Sequence, residues 1–576
     1  MARFLALVAI THIVVADTAS VWDRFNATVE GRLHSLRPVS EPCFTSPESE
    51  ACDYIRGNQS SSAFLSSFPS GYSYLQSSLC LGRASDACIP DVTDTCSQGS
   101  VPSYYVDVSG ASDVLAAYQF AKEQADDGVC LSIKNSGHDY MMRNNGKGSK
   151  SVNLWVHNLK GLEHHLDFVA EGCDATGAGA GHRAMTVAAG ESTDAIYRFA
   201  SENNSTFVAG QSGTIAAAGG YTLGGGRGTL TPAYGLAADR ALEFSVVTPD
   251  GHFRTANACQ NADLFRALKG GGAGFGVVLS TTFKVEVAAP VAVAVIRLPP
   301  ANVTTAEESL QWVDVLAREA LRWAQEGWGG HVQGLAMTHL NPLSPFNSNL
   351  TAAQESMQAA TDFALAHGGT STIEILPDFL AVWDKYVSSA AVGTFRFLTS
   401  AIAPSTLFDN EEGLAKISAY LREASTMGFD PRSFYIPSGT PHGLPEGGNH
   451  TTVHPTWYNA VWQIAHGLTI SPDADYQERL DNLTTLSRVT KMQQELIGSE
   501  EPAAYYNEAN PFTTNWRESW WGMENYEFLL EVKNKYDPHG LFKCWKCVGF
   551  KEEDLESDRY SCIAGMQKDI DEALAN

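Results

Sequence analysis

The 576-residue chain lacks the short signatures of most nucleotide- and metal-dependent enzymes. No GxGxxG opens a helix, which argues against a Rossmann dinucleotide site. GxxxxGK(S/T), HExxH and GxSxG are missing too, which weighs against nucleotide hydrolases, zinc proteases and α/β-hydrolases. Positive charge is scarce: 39 Lys and Arg face 65 Asp and Glu, for a formal net charge of −26. Nucleic acid and anionic membrane both select basic surfaces, so neither is expected as a main partner. After the N-terminus no uninterrupted apolar run reaches the ~18 residues of a membrane span. Internal repeats and low-complexity tracts are also lacking.

What is present begins with MARFLALVAITHIVVADTAS. Arg3 precedes a mostly apolar stretch from Phe4 to Val15, and Val14 and Ala16 fit a cleavage site before Asp17. Residues 1–16 therefore read as a secretory signal peptide. Two features agree with export. Eleven cysteines follow, several crowded at Cys43, Cys52, Cys80, Cys88 and Cys96, and the odd number leaves at least one thiol unpaired. Sequons for N-glycosylation occur at Asn26, Asn58, Asn203, Asn204, Asn302, Asn349, Asn449 and Asn482. The expected location is extracellular, or else the vacuole or another secretory compartment. Cys544-x-x-Cys547 reads as a disulfide rather than a metal site in such a compartment.

Residues 17–98 are rich in Ser, Pro and Cys, with one helix expected over 21–36. Regular α/β character starts near Pro102. Strands are expected at 105–108 and 129–134, with Ser112 as N-cap of the helix between them. A helix over 192–202 precedes a short strand at 207–209. Leu242, Phe244 and Val246 alternate up to Asp250-Gly251, a hairpin turn. A helix at 261–268 and a strand at 277–285 follow. After Pro290 the pattern changes: Thr305-x-x-Glu308 is a capping box before a long amphipathic helix. A last helix is expected at 525–536.

Two local features suggest chemistry. Residues 210–228 read GQSGTIAAAGGYTLGGGRG, nearly half glycine, and GGGAGFG recurs at 270–276. Bare backbone of this kind lets amide groups approach a pyrophosphate. The other feature is His138, in the polar loop NSGHDY behind a buried strand.

Together these segments resemble the berberine bridge enzyme-like branch of the vanillyl-alcohol oxidase flavoproteins, closest to fungal secreted members with a PCMH-type FAD-binding fold. SIKNSGHDYMMRNNG resembles the loop of the flavin-linked histidine. The glycine-rich segment, with YGLAADRALEFSVVTPDG after it, resembles the pyrophosphate and isoalloxazine segments. NADLFRALKGGGAGFGVVLSTTFKV resembles the close of the FAD domain, and YYNEANPF with NYEFLLEVKNKYDPHGLF resembles the C-terminal return to it.

The resemblance implies an α+β fold: a two-subdomain FAD domain and a substrate domain whose antiparallel sheet is covered by helices. The expected parts are a disulfide-containing lead-in at 17–98, the FAD domain at 99–288 and the substrate domain at 289–499. A C-terminal return at 500–550 and a tail at 551–576 complete the chain.

The resemblance further implies FAD bound covalently through His138. Lys134, Asn135, Ser136, Gly137, Asp139, Ser212, Gly213, Thr214, Gly219, Gly220, Gly224, Gly225, Asp239, Gly276, Val277 and Val278 are the expected cofactor contacts. Tyr505, Asn507 and Tyr221 are the candidate catalytic residues, and His442, His450 and His454 are candidate bases. Many members carry a second flavin bond through a cysteine early in the glycine-rich segment. Here Gln211-Ser212-Gly213 stands in that neighbourhood, so a single linkage is implied. The expected activity is oxidation of an alcohol-bearing small molecule or a carbohydrate by a monomer, with O2 as acceptor and hydrogen peroxide as product. The alternatives are a tailoring oxidase of secondary metabolism, by dehydrogenation or oxidative cyclisation, and a non-catalytic flavin-binding protein.

Overall fold

The computed structural model describes residues 20–575 except 82–86, 145, 147, 175–180, 388–391, 430–433 and 438–449. The signal segment, His442 and Asn449 lie outside the described residues.

Three sheets organise the chain. The first has four strands in the order Leu33–Ser35, Tyr104–Asp107, Ser151–Trp155, Cys130–Lys134. Its last two pairs are parallel, so a crossover is required, and helix Ala111–Glu123 supplies it between Tyr104–Asp107 and Cys130–Lys134. Val114, Ala117 and Tyr118 of that helix bury against Val106, Val152 and Leu154. Each such side chain contributes roughly 1.5–3 kcal/mol by leaving water. The second sheet is antiparallel, in the order Leu162–Phe168, His182–Ala188, Val277–Lys284, Ala241–Thr248, His252–Asn257. The Asp250-Gly251 turn joins its last two strands, with Gly251 at φ +85°.

The third sheet has seven antiparallel strands: Thr370–Leu376, Val291–Arg297, Ala336–Asn341, Gly329–Gln333, Phe434–Pro437, Ala460–Ile470 and Phe395–Pro404. Helices cover one face. Ala306–Glu326 starts at the Thr305–Glu308 capping box and ends at Gly327, at φ +90°. Its Trp312, Val313, Leu316 and Trp323 recur at helical spacing and are all buried. No described helix is long and apolar enough to cross a membrane.

Three local expectations change. The helix expected over 21–36 stops at Thr28, because Glu30 and Gly31 take positive φ and turn the chain into strand Leu33–Ser35. Gly110, not Ser112, is the N-cap of Ala111–Glu123; Asp113 reaches back to accept from Ser109 N and Oγ at 2.7 and 2.8 Å. The short strand falls at Ser205–Thr206, paired with Glu286–Val287, while residues 207–209 are buried outside any ladder.

Ten cysteines pair as Cys43–Cys52, Cys80–Cys562, Cys88–Cys96, Cys173–Cys259 and Cys544–Cys547, and Cys130 is free. The CxxC segment is thus a disulfide. Cys80–Cys562 ties the C-terminal helix Ser561–Ala575 to the N-terminal part.

Candidate active site

A cavity of about 530 Å³ lies between the first two sheets and the uncovered face of the third. That volume is within the usual range for small-molecule and cofactor sites. The expected residues Asn135, Ser136, Gly137, His138, Asp139, Ser212, Gly219, Gly220, Tyr221, Gly276, Val278, Tyr505 and Asn507 line it.

The His138 loop leaves strand Cys130–Lys134 with a sharp turn. Gly137 sits at φ +84°, and a Cβ there would lie 2.7 Å from Gly71 O, so only glycine fits. Asp139 then closes the loop: its carboxylate accepts the backbone N–H groups of Met141, Arg143 and Asn144 at 2.9, 2.5 and 3.2 Å. This turns the His138 ring to the cavity, where Nε2 lies 2.5 Å from Thr214 Oγ1. Burial pushes the imidazole pKa down to about 4, and the Lys134 ammonium adds to the push, so the ring is neutral near pH 7. Lys134 itself does not line the cavity. It supports the loop from behind, donating to Phe68 O at 2.9 Å and Asn135 O at 3.2 Å, and burial lowers its pKa to about 7.

The glycine-rich segment supplies the facing wall. A Cβ built on Gly220 would meet nothing within 4 Å, and one on Gly219 only Asn135 Nδ2 at 3.8 Å. Bare backbone therefore borders open space. Ser212 Oγ, Asn135 Oδ1 and Asn144 Oδ1 are buried polar atoms on the cavity without a hydrogen-bond partner in the protein. Buried polar atoms are normally satisfied. A long cradle of this kind, with unmet donors and acceptors, fits a dinucleotide such as FAD.

The C-terminal return supplies the third wall, through the turn Tyr506–Glu508. Asn507 Nδ2 donates to Tyr505 Oη at 2.9 Å and to Tyr221 O at 3.0 Å. Gly224 is required here, since a Cβ would lie 2.1 Å from Asn507 Oδ1. Arg143 holds the other side of the amide, donating to Asn507 Oδ1 from both terminal nitrogens at 3.2 Å. It also pairs with Asp139 at 3.0 Å and stacks on the Tyr506 ring at 4.4 Å. Arg227 and Glu508 form a bidentate pair at 2.8 and 2.9 Å beside Tyr505. The Tyr505 oxygen accepts from Arg227 N at 3.3 Å as well. Burial, with Glu508 adding to it, raises the Tyr505 pKa, so the phenol keeps its proton.

The seven-stranded sheet closes the cavity by strand alternation. His331 and Gln333 face it from Gly329–Gln333, while Val332 between them is buried on the opposite face. Arg396 and Leu398 do the same from Phe395–Pro404, and Ala465 from Ala460–Ile470. His331 Nδ1 lies 3.0 Å from Gln211 Nε2, and burial lowers its pKa to about 4, with Arg227 adding to it. Tyr74 stacks on Tyr140 at 4.1 Å, with the two hydroxyls 2.6 Å apart.

Several expected contacts lie elsewhere. Asp239 is buried off the cavity, accepting from Tyr458 Oη and Leu236 N at 2.7 and 2.8 Å. Val277 is packed in the core of the first sheet. Gly213, Thr214, Gly224 and Gly225 also do not line the cavity, although Thr214 Oγ1 reaches His138 Nε2 from behind that lining. Nor do the candidate bases His450, which is exposed, and His454, whose Nδ1 accepts from Thr456 N at 3.3 Å. Arg143, Arg227 and Glu508 were legible as members of the matching segments, though without roles. Tyr140 was legible in the same way, two residues after His138, whereas His331, Arg396 and Tyr74 had no local signal.

Known proteins agree with this geometry. The model of the FAD binding domain matches residues 102–257, and that of the berberine and berberine-like segment matches 504–547. The FAD-linked oxidoreductase OXR2 of Pyricularia oryzae is 36% identical over 582 residues, covering 96% of each chain. The crystal structure of the VAO-type flavoprotein MtVAO615 from Myceliophthora thermophila C1 superposes with a TM-score of 0.79 at 27% identity, covering 92% of this chain and 94% of that one. The glucooligosaccharide oxidase of Acremonium strictum, with its 6-S-cysteinyl, 8α-N1-histidyl FAD, shares the fold at a TM-score of 0.60 and 16% identity, covering 91% of this chain and 98% of that one. The chain belongs to the berberine bridge enzyme-like branch of the vanillyl-alcohol oxidase flavoproteins and is an FAD-dependent oxidoreductase.

Proposed function

We propose that the chain is an exported oxidase that holds FAD through one covalent bond, at His138, and oxidises an alcohol-bearing small molecule or carbohydrate with O2 as electron acceptor. The observation that carries this reading is the neutral His138 ring in the cavity wall, fixed by Asp139 on its loop and by Thr214 at Nε2. In the glucooligosaccharide oxidase a histidyl and a cysteinyl bond hold the flavin. Here ten cysteines are in disulfides and Cys130, on the strand before the loop, does not line the cavity. That supports one bond.

When bound, FAD would supply the acceptor for a substrate hydride and the route of the electrons to O2. The residues around it bind and orient. Asn135, Ser212 and the glycines 219, 220, 274 and 276 border the cavity that would hold it. The Tyr505 oxygen already accepts two N–H donors, so its own proton is free for a substrate oxygen. Its raised pKa makes it a donor at neutral pH. The Arg227–Glu508 pair backs Tyr505, and the apolar faces of Leu398, Ala465 and Val278 exclude water.

Five disulfides support passage through an oxidising compartment. The described sequon asparagines are all half-exposed or exposed, as glycan attachment requires.

Acid precipitation tests the linkage: yellow flavin should stay with the wild-type pellet and pass to the supernatant for His138→Ala. Free FAD released from the wild type overturns the covalent reading. A substrate screen read by anaerobic flavin bleaching, then by peroxide on admitting air, tests the oxidase reading.

A further inference from the structure

The segment facing His138 is more rigid than a glycine-rich loop needs to be. Gly213 O accepts from Asp194 N at 3.0 Å, and Ile215 O accepts from Thr193 N and Thr193 Oγ1 at 2.8 and 2.9 Å. Both donors belong to the start of the ten-residue helix Thr193–Glu202. Ile215 N also donates to Ser212 O at 3.1 Å. Thr214 is therefore pinned on both sides, and its hydroxyl stands at a fixed point 2.5 Å from His138 Nε2. Across the ring, Tyr74 meets His138 edge-on, with centroids 6.4 Å apart.

A neutral imidazole carries one N–H and one lone pair, and only the nitrogen with the lone pair can attack carbon. With Nε2 covered by Thr214, Nδ1 is the nitrogen left to react. It is nucleophilic only in the tautomer whose proton sits on Nε2. The Thr214 hydroxyl can accept from Nε2 or donate to it; in the accepting arrangement it holds the proton on Nε2 and leaves the Nδ1 lone pair free, in the way a partner on one ring nitrogen sets the role of the other.

We infer that Thr214 is a positioning residue for cofactor attachment: its hydroxyl holds the His138 proton on Nε2 and so directs bond formation to Nδ1. The inference rests on the proposed His138 linkage. The step balances as follows. The flavin 8α-methyl loses one hydrogen and His138 loses its N–H hydrogen as the N–C bond forms. The two electrons released pass through the flavin to O2, which leaves with the two protons as hydrogen peroxide.

The test follows attachment itself and needs no substrate. Wild type, Thr214→Ser, Thr214→Val and His138→Ala are produced with FAD. Covalent occupancy is read over time by intact mass and acid-stable flavin, and total FAD by absorbance. Thr214→Val should attach flavin about tenfold more slowly or worse, the order expected for one lost hydrogen bond in the reacting state, while still binding FAD reversibly. Thr214→Ser should restore a rate close to the wild type. Attachment by Thr214→Val at the wild-type rate overturns the inference while leaving the linkage reading intact. Acid-stable flavin in His138→Ala overturns the linkage reading itself. A measurement on the wild type keeps the inference open to refutation even if Thr214→Val fails to fold: NMR of the flavin peptide should show the bond at Nδ1, and a bond at Nε2 overturns the inference.

Discussion

The two long walls of the cavity each present a neutral histidine, and they are built in opposite ways. On the cofactor wall, His138 stands on a loop held by a positive-φ glycine, three backbone bonds to Asp139 and the Thr214 hydroxyl. On the substrate wall, His331 stands on a strand whose register turns it inward, with a single side-chain hydrogen bond among the described residues, to Gln211 at 3.0 Å. The cross-links divide in the same way. All five disulfides join residues outside 289–499, and no cysteine occurs between Cys259 and Cys544. One wall is fixed residue by residue, whereas the other is a sheet face whose side chains can be exchanged without moving the backbone. A fixed wall suits a permanent cofactor, and an exchangeable one suits a substrate that differs between relatives.

The largest break in this comparison should come from the two histidines. His138→Ala should abolish acid-stable flavin, while His331→Asn should leave it complete and lower kcat/KM by about tenfold, the scale of one lost polar contact. Measuring both quantities on both variants decides it. Loss of flavin attachment in His331→Asn would mean that the walls are not separable.

Next in size is the arginine pair. Arg143 neutralises the buried Asp139 and orients Asn507, so Arg143→Met should cost about 3 kcal/mol of stability by leaving that carboxylate unpaired. Arg143→Lys should recover part of the stability but not the two-nitrogen contact with Asn507. Arg396→Met, on the substrate wall, should change stability by less than about 1 kcal/mol and act on KM instead. Urea unfolding with steady-state kinetics compares the three.

Removing the Cys80–Cys562 bond by a double serine substitution should cost about 2–4 kcal/mol. Hydrogen exchange should rise in the C-terminal helix Ser561–Ala575 and stay unchanged in the seven-stranded sheet. A rise in both would show that the staple serves the whole molecule.

The smallest expected effect is shared by both walls. The native pKa values of His138 and His331, each about 4, lie below the usual 6.5. The unfolded chain therefore binds more protons between those values. The stability associated with keeping the rings neutral is fully present above pH 6.5 and is lost as pH falls towards 4. At pH 5 the loss is on the order of 1 kcal/mol per ring, allowing for water in the cavity. Apoprotein melting against pH should show a slope reduced in either histidine variant.

The sequence by itself determined the family, the cofactor and the cofactor wall. Those features are local: a glycine where positive φ is needed, an aspartate one residue after the histidine, a run of bare backbone. Each is legible because its partner is near in sequence or is main chain. The cysteine count required an unpaired thiol, but only the fold showed that it is Cys130. Tertiary structure alone decided the rest. It removed Asp239 and Val277 from the site, because family blocks mix contact residues with those that hold the segment in place. It brought Arg143 to Asn507 across 364 positions, and Gln211 to His331 across 120. It also chose which face of the seven-stranded sheet meets the cavity. Alternation tells that side chains on a strand divide between two faces, but which face is covered by helices is settled only when helices such as Ala306–Glu326 pack on one and leave the other open.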